Sequence, residues 1–239
     1  MSSPQNPISF SMVVPFYNEE AVAGRIVDEL CSELARLPGG WEAILVNDGS
    51  KDGTAGELQR AAAKWPEARV LPLEKNSGQG AALLHGIRAA RGAIIGMMDG
   101  DGQNVPADIH RLLPLLENAD LVNGVRADRH DSTLRHVMSR IANKVRGGLL
   151  RDGVTDAGCA LKVFRREVVV SFLPVHMLNP FMPAFAVWGG FRVAELPVAH
   201  RHRQGGVSKY GFRVLLWRPM VDMLALAWVL RRRIPVHLC

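Results

Sequence analysis

The run Asp99-Gly100-Asp101-Gly102-Gln103 sets two carboxylates one residue apart, with an amide two positions further on. Two carboxylates at that spacing can share a divalent cation, which neutralises a bound diphosphate and assists its departure as a leaving group. Asp and Gly also favour turns, so a plain Asp/Gly turn is the competing reading. Similar polar clusters elsewhere favour chemistry. Asn18-Glu19-Glu20, Asp48 and Lys75-Asn76 each follow a short apolar run, as Asp99 does. Asp48, in Val46-Asn47-Asp48-Gly49-Ser50, can accept hydrogen bonds from a nucleobase or ribose, or act as an Asx turn or helix cap. In Asn76-Ser77-Gly78-Gln79-Gly80 the glycines imitate the start of a dinucleotide fingerprint, but position 83 is Leu83 and no GxxxxGK[ST] occurs anywhere. The segment reads as a nucleotide-contacting turn.

Two basic stretches complete the candidate chemistry. Arg126, Arg129, Arg135, Arg140, Lys144 and Arg146 run through a long helical pattern whose more apolar side carries Ile141 and Val145. Guanidinium groups suit bidentate phosphate binding, while a solvated helix face accounts for most individual members. Arg201-His202-Arg203-Gln204-Gly205-Gly206-Val207-Ser208-Lys209-Tyr210 joins three fixed charges to a flexible Gly-Gly, the makings of a loop that closes over a phosphate. His200 and His202 at i,i+2 form a weak metal pair, and a basic loop is the simpler account.

The elements that must position these groups are legible by periodicity. Phe10–Pro15 reads as a strand, and Val22, Ile26, Leu30, Leu34 and Leu37 form one apolar helix face after it. Ala43–Val46 (strand), Thr54–Lys64 (helix), Val70–Leu73 (strand), Ala81–Ala90 (helix) and Ala93–Met98 (strand) follow, and Pro106 opens a helix to about Leu116 before a short strand at Leu121–Asn123. This alternation predicts an α/β domain on a mostly parallel central sheet flanked by helices. Ligands gather beyond the carboxyl ends of such strands, where the polar clusters fall.

Composition excludes other classes. The 239 residues are 48% hydrophobic and 22% charged, enough for one large domain with a real core. Cys31, Cys159 and Cys239 are odd in number and form no CxxC pair, which argues against a disulfide framework or zinc site and for a reducing cytosolic setting. The polar stretch Met1–Pro7 does not read as a signal peptide. Ala199–Cys239 holds eight Lys or Arg against the single acid Asp222, while the whole chain carries +6, so the basicity is a C-terminal feature. Within it Val214–Leu230 is apolar but contains Arg218, Pro219 and Asp222 and leads into Arg231-Arg232-Arg233. A spanning helix needs about 20 largely apolar residues. An interfacial helix anchored by Trp217, Trp228 and the arginines fits better, with a core or partner-facing helix as the alternative.

In order along the chain, Val13-Val14-Pro15-Phe16-Tyr17-Asn18-Glu19-Glu20, Val46 to Ser50, Lys75 to Gly80, Asp99 to Gln103, Thr155-Asp156-Ala157-Gly158-Cys159 and Arg203 through Ser208-Lys209-Tyr210 resemble the family 2 glycosyltransferases. Within them they are similar to the dolichol-phosphate mannosyltransferase-like group, which transfers sugars to polyprenyl phosphates. The resemblance implies a GT-A (nucleotide-diphospho-sugar transferase) fold and a metal-dependent inverting enzyme. Pro15, Tyr17, Glu19, Asp48, Lys75 and Asp99 would hold the nucleotide-sugar, GDP- or UDP-linked. Asp99, Asp101 and Gln103 would surround Mg²⁺ or Mn²⁺. Arg126, Arg140, Arg203, Ser208 and Lys209 would meet the acceptor phosphate. Asp99, Asp101, Arg126 and Asp156 form the catalytic set, with Asp156 where other members place a base. A phosphate acceptor is already anionic, so it needs little base, and Asp156 would then orient an arginine or the acceptor loop.

The resemblance also implies a catalytic domain over 1–211, including an acceptor loop at 199–211, and a membrane-associating segment over 212–239. The protein would be peripheral at the cytoplasmic face of the inner membrane, with a membrane-protein partner or homo-oligomer left open. The competing classes are transfer to a glycan or protein hydroxyl and a sugar-1-phosphate nucleotidyltransferase. The latter expects a Gly-rich, Arg-containing loop where this chain has Pro15-Phe16-Tyr17-Asn18. A nucleic-acid-binding role is disfavoured, because only 6% of residues are aromatic and the C-terminal arginines sit beside an apolar helix.

Overall fold

The computed structural model describes residues 8–127, 146–202 and 212–232, the last stretch with side chains from 221 onward. Arg129, Arg135, Arg140, Lys144, Arg203, Ser208, Lys209 and Tyr210 therefore lie outside the described residues, as does the side chain of Trp217.

Strands and helices alternate through the first hundred residues: β1 (Ile8–Phe16), α1 (Glu20–Leu34), β2 (Gly40–Asn47), α2 (Thr54–Ala62), β3 (Ala68–Pro72), α3 (Gln79–Ala89) and β4 (Ile94–Met97). There follow α4 (Ile109–Leu112), β5 (Leu121–Arg126), β6 (Lys162–Arg165), α5 (Leu178–Trp188), β7 (Val193–Val198) and α6 (Phe212–Leu230). The strands form one sheet in the order β3-β2-β1-β4-β6-β5-β7. β1 pairs in parallel with β2 and β4, β2 with β3, and β5 with β7, whereas β6 runs antiparallel to both β4 and β5. Parallel pairing brings the carboxyl ends of β1 to β4 to one edge, which is where the polar clusters stand.

Period-two alternation distributes each strand between two cores. Met12, Val14 and Phe16 of β1 and Ala43 and Leu45 of β2 face a core shared with α1 and α2, while Val13, Ile44 and Val46 face a core with α3 and α5. α1 forms because Val22, Ala23, Ile26, Val27, Leu30, Cys31 and Leu34 bury one face, with Glu20 in its first turn to suit the helix dipole. Burying a Leu or Ile side chain in such a core contributes about 1.5–3 kcal/mol.

One sequence expectation shifts. The helix expected from Pro106 to Leu116 is instead a 3₁₀ turn at Pro106–Asp108, the single turn α4, and a second 3₁₀ stretch at Leu113–Glu117. Pro114 has no N–H to donate to the carbonyl of His110, and its ring crowds that carbonyl, so the α ladder cannot continue. Pro15 is accommodated because β1 pairs with β4 only as far as Val13 opposite Met97, so the missing N–H falls beyond the ladder.

The C-terminal helix α6 turns Met223, Leu226, Ala227 and Leu230 into the second core. Val221, Leu224 and Trp228 stay largely exposed on another face. Arg232 lies 4.8 Å from the Trp228 ring centroid, a cation–π contact at the surface. Among the described residues no helix is long and apolar enough to cross a membrane.

Candidate active site

The loops after β1 and β2 are sewn together. Asn18, held at φ 54°, accepts from the Lys51 amide at 2.8 Å through its side chain, and its own N–H donates to Ser50 Oγ at 3.1 Å. The Glu19 amide donates to Thr54 Oγ1 at 2.8 Å, and Glu19 and Pro15 are both buried at this edge. Tyr17 is half-buried beside them, and Lys75 is exposed.

Asp48 braces the next turn. Its carboxylate accepts from the Ser77 amide at 2.7 Å, the Gly78 amide at 2.9 Å and Asn76 Nδ2 at 3.1 Å. The carboxylate thus shapes the turn that opens α3. The sequence had offered a local Asx turn or helix cap beside nucleotide binding; the partners are instead 28–30 residues away.

The carboxylate pair follows β4. A β-carbon on Gly100 would stand 2.7 Å from the Pro15 carbonyl and 2.5 Å from the Phe16 ring, so only glycine lets this turn lie across the end of β1. Gln79, at the start of α3, donates to Asp99 Oδ1, and Asp101 Oδ1 accepts from the Gln103 amide at 3.1 Å. Burial, with the charge of Asp101 second, pushes the Asp99 carboxyl up to about 6, against the opposing pull of the Gln79 hydrogen bond. A carboxylate facing a like charge is relieved by a cation, so hard oxygen donors here suit Mg²⁺ or Mn²⁺. Among the described residues no three His, Cys, Asp or Glu side chains converge on one metal position. An ion at this turn would take its remaining ligands from phosphate and water. Gln103 is turned toward the chain beyond β7: its Nε2 lies 3.3 Å from His200 Nε2 and 3.4 Å from the Arg201 carbonyl.

Arg126, at the end of β5, meets Asp156 in a fork: Nε donates to Oδ2 at 2.8 Å and Nη2 to Oδ1 at 2.7 Å, while the Arg126 amide adds a bond to Oδ2 at 3.1 Å. Two other arginines read as basic surface have structural partners. Arg201 pairs with Glu29 of α1 at 2.8 and 2.7 Å, and the buried Arg146 bonds Asp152 and the Val154 carbonyl. Arg146 departs from the solvated-face reading because its guanidinium closes the turn at 152–154. Arg140, Arg203, Ser208 and Lys209 fall outside the described residues.

Sequence reasoning passed over four side chains near these groups: Gln79, Asn123, Lys162 and Glu195. The last two leave a trace, since each is a lone charge in an otherwise apolar strand run, Leu161-Lys162-Val163-Phe164 and Val193-Ala194-Glu195-Leu196. Beside α3, a cleft of about 440 Å³ is lined mainly by apolar residues, among them Leu84, Val175, Phe181, Leu226 and Val229, with Gly80 at one side. Gly80 neighbours Gln79, so the cleft and the carboxylate pair share the first turn of α3.

Residues 11–172 match the family described as "Glycosyl transferase family 2". A dodecaprenyl-phosphate galacturonate synthase from Rhizobium johnstonii is 36% identical over 240 residues, covering 96% of this chain and 70% of that protein. An undecaprenyl-phosphate 4-deoxy-4-formamido-L-arabinose transferase from Pectobacterium atrosepticum is 35% identical over 217 residues, covering 90% of this chain and 66% of that protein. Among solved structures, glucosyl-3-phosphoglycerate synthase from Mycobacterium tuberculosis, in complex with Mn²⁺, UDP and glucosyl-3-phosphoglycerate, superposes with a TM-score of 0.69. That match covers 92% of this chain and 80% of the other at 19% identity, a likeness of fold.

Proposed function

Because this chain belongs to glycosyl transferase family 2, with the GT-A arrangement of its sheet, we propose that it transfers a sugar from a nucleotide-sugar to a polyprenyl phosphate with inversion. The observation that carries this reading is the Arg126–Asp156 fork. A hydroxyl acceptor needs a general base, and the carboxylate at the expected position is engaged by a guanidinium instead. A phosphate acceptor arrives ionised and needs orientation more than deprotonation. The names of the two relatives at 35–36% identity point the same way, since each specifies a polyprenyl phosphate.

In the reaction one acceptor phosphate oxygen attacks the anomeric carbon as the bond from that carbon to the nucleoside diphosphate breaks, and the diphosphate leaves with the electron pair. Asp99 and Asp101, with Gln103 beside them, would hold a Mg²⁺ or Mn²⁺ ion, which when bound neutralises charge on the diphosphate. Arg126, its plane fixed by Asp156, supplies a directed positive charge to the phosphates of the reacting pair. Pro15, Tyr17 and Glu19 form the edge on which the nucleotide rests, with Lys75 near its phosphates and Asp48 holding the adjoining turn. Arg140, Arg203, Ser208 and Lys209 are assigned to the acceptor phosphate by resemblance.

The exposed Val221, Leu224 and Trp228 stripe on α6 is proposed to lie in the membrane interface, with the prenyl chain running along the apolar cleft beside α3. The boundary between a catalytic domain over 1–211 and a membrane-associating segment over 212–239, and a position on the cytoplasmic face, belong to the same proposal. The test incubates the purified protein with Mn²⁺, short-chain polyprenyl phosphate and GDP-mannose, UDP-glucose or UDP-galacturonate, and reads lipid-linked sugar by mass spectrometry. One product that disappears on chelation is expected. Absence of product from every donor, with membranes added, would overturn the acceptor assignment.

A further inference from the structure

The segment that presents Asp156 is gripped on both sides of its backbone. On the amide side, Glu195 of β7 accepts from the Thr155 N–H at 2.9 Å, the Thr155 hydroxyl at 2.8 Å and the Asp156 N–H at 3.3 Å. Asn123 of β5 ties this acceptor to the segment, donating to Glu195 Oε1 at 3.0 Å and to the Asp156 carbonyl at 3.1 Å. On the carbonyl side, Lys162 of β6 donates to Ala157 O at 3.3 Å, to Cys159 O, and to Asn179 Oδ1 at 2.6 Å. An anion thus holds the N–H groups and a cation holds the C=O groups of one short turn. A β-carbon on Gly158 would come within 3.0 Å of Arg126 Nη2, so the turn also leaves room for the guanidinium.

The cost of Lys162 makes the arrangement informative. Its side chain is fully buried, and among the described residues its three hydrogen-bond acceptors are neutral. A buried ammonium without a contacting carboxylate is expensive, and an apolar residue of similar size would spare that desolvation. What the charge secures in return is the placement of two carbonyls directly behind Asp156.

We propose that Glu195 and Lys162 are positioning residues for sugar transfer: gripping opposite sides of the 155–159 backbone, they hold the Asp156 carboxylate in the orientation that aligns the Arg126 guanidinium with the reacting phosphate. This rests on the reading of Arg126 as a phosphate-binding group. Neither side chain touches substrate; both act through Asp156.

The test follows the Arg126 Nε–H signal by NMR in ¹⁵N-labelled protein, with Arg166 Nε–H, which donates to the Gly92 carbonyl at 2.9 Å, as an internal control for the fold. In Glu195→Ala and Lys162→Met, rapid exchange of the Arg126 signal with an unchanged Arg166 signal is expected. If Glu195→Ala fails to fold, Glu195→Gln keeps the shape and one acceptor oxygen. The kcat of Glu195→Ala should fall by about 10–100-fold with donor KM within about twofold, the scale of a misplaced binding group. In an Asp156→Ala background the same change should cost less than about twofold, because the two act as one unit. An unmoved Arg126 signal, or equal losses of kcat in both backgrounds, would overturn the proposal. If the wild type makes no lipid-linked sugar while the Arg126 signal still responds, the acceptor reading fails and the positioning stands.

Discussion

Asp156 receives three hydrogen bonds from Arg126, two from the guanidinium and one from the backbone amide. The side chains are 8% and 17% exposed, so the pair is largely shielded from water. A carboxylate held this way orients a cation. Asp156→Asn should therefore lower kcat by about 10–100-fold through loosened geometry, without removing the acid limb of the kcat–pH profile. Arg126→Lys should lose more than Asp156→Asn, because an ammonium cannot make the two-pronged contact. Steady-state kinetics from pH 5 to 9 would decide. Loss of the acid limb in Asp156→Asn would restore this residue as a base.

The Asp99 carboxyl, pushed up to about 6 by burial and then by Asp101, predicts how metal binding depends on pH. Below that value Asp99 carries a proton that a metal must displace. Above it the pair is ready to bind. Mn²⁺ affinity should thus weaken about tenfold per unit as pH falls below about 6, with a proton released on binding. Calorimetry in buffers of different ionisation enthalpy measures that release directly. Asp101→Ala should abolish transfer while circular dichroism and thermal unfolding stay close to wild type.

Much of this was legible from local pattern. β1 to β4 and α1 to α3 each carry their own local pattern, and that pattern alone sets the polar strand ends at one edge of the sheet. The later half was harder for physical reasons. β6 is four residues long and antiparallel between two strands distant in sequence, so no local signal announces its pairing. The partner of Arg201 left no local signal because that pairing depends on distant backbone placement, whereas Arg146 bonds Asp152 and Val154 only six and eight residues on. Arg201 and Glu29 lie 172 residues apart. Lys162 and Glu195 stood out only as lone charges in apolar runs, a pattern that equally marks a strand end or a solvated edge.

The two apolar faces of α6 should separate stability from membrane association. Leu224 is 55% exposed and Leu226 is 5% exposed. Leu224→Glu should leave the melting temperature nearly unchanged and weaken sedimentation with anionic liposomes by about tenfold or more, since burying one Leu in lipid contributes about 1.5–3 kcal/mol. Leu226→Glu should instead destabilise the protein by several kcal/mol, because it buries a charge in the second core. Equal liposome binding by wild type and Leu224→Glu would remove this face from the membrane assignment.

Lys162 gives a pH dependence of the same sense as an ordinary ion-paired carboxylate, displaced to alkaline pH, because its proton too is held less tightly in the folded chain than in the unfolded one. Burial lowers its ammonium from the usual lysine range to about 8, although Cys159, Asp156 and Asp99 oppose the shift. Between about pH 8 and 10.5 the folded chain has released this proton and the unfolded chain still holds it. The unfolded state then binds more protons, so the contribution of Lys162 to stability rises with pH through that window and is at its least favourable below it. The rise is at most about 1.4 kcal/mol per pH unit for one proton. Lys162→Met removes the titrating group, so urea unfolding at pH 8 and 10 should show a smaller gain, or a larger loss, for the variant than for wild type. Activity should move the other way, because the neutral amine grips the Ala157 and Cys159 carbonyls more weakly. Wild-type kcat should decline above about pH 8 while its stability component from Lys162 improves. Parallel pH trends of stability in wild type and Lys162→Met would show that this lysine does not titrate in the window.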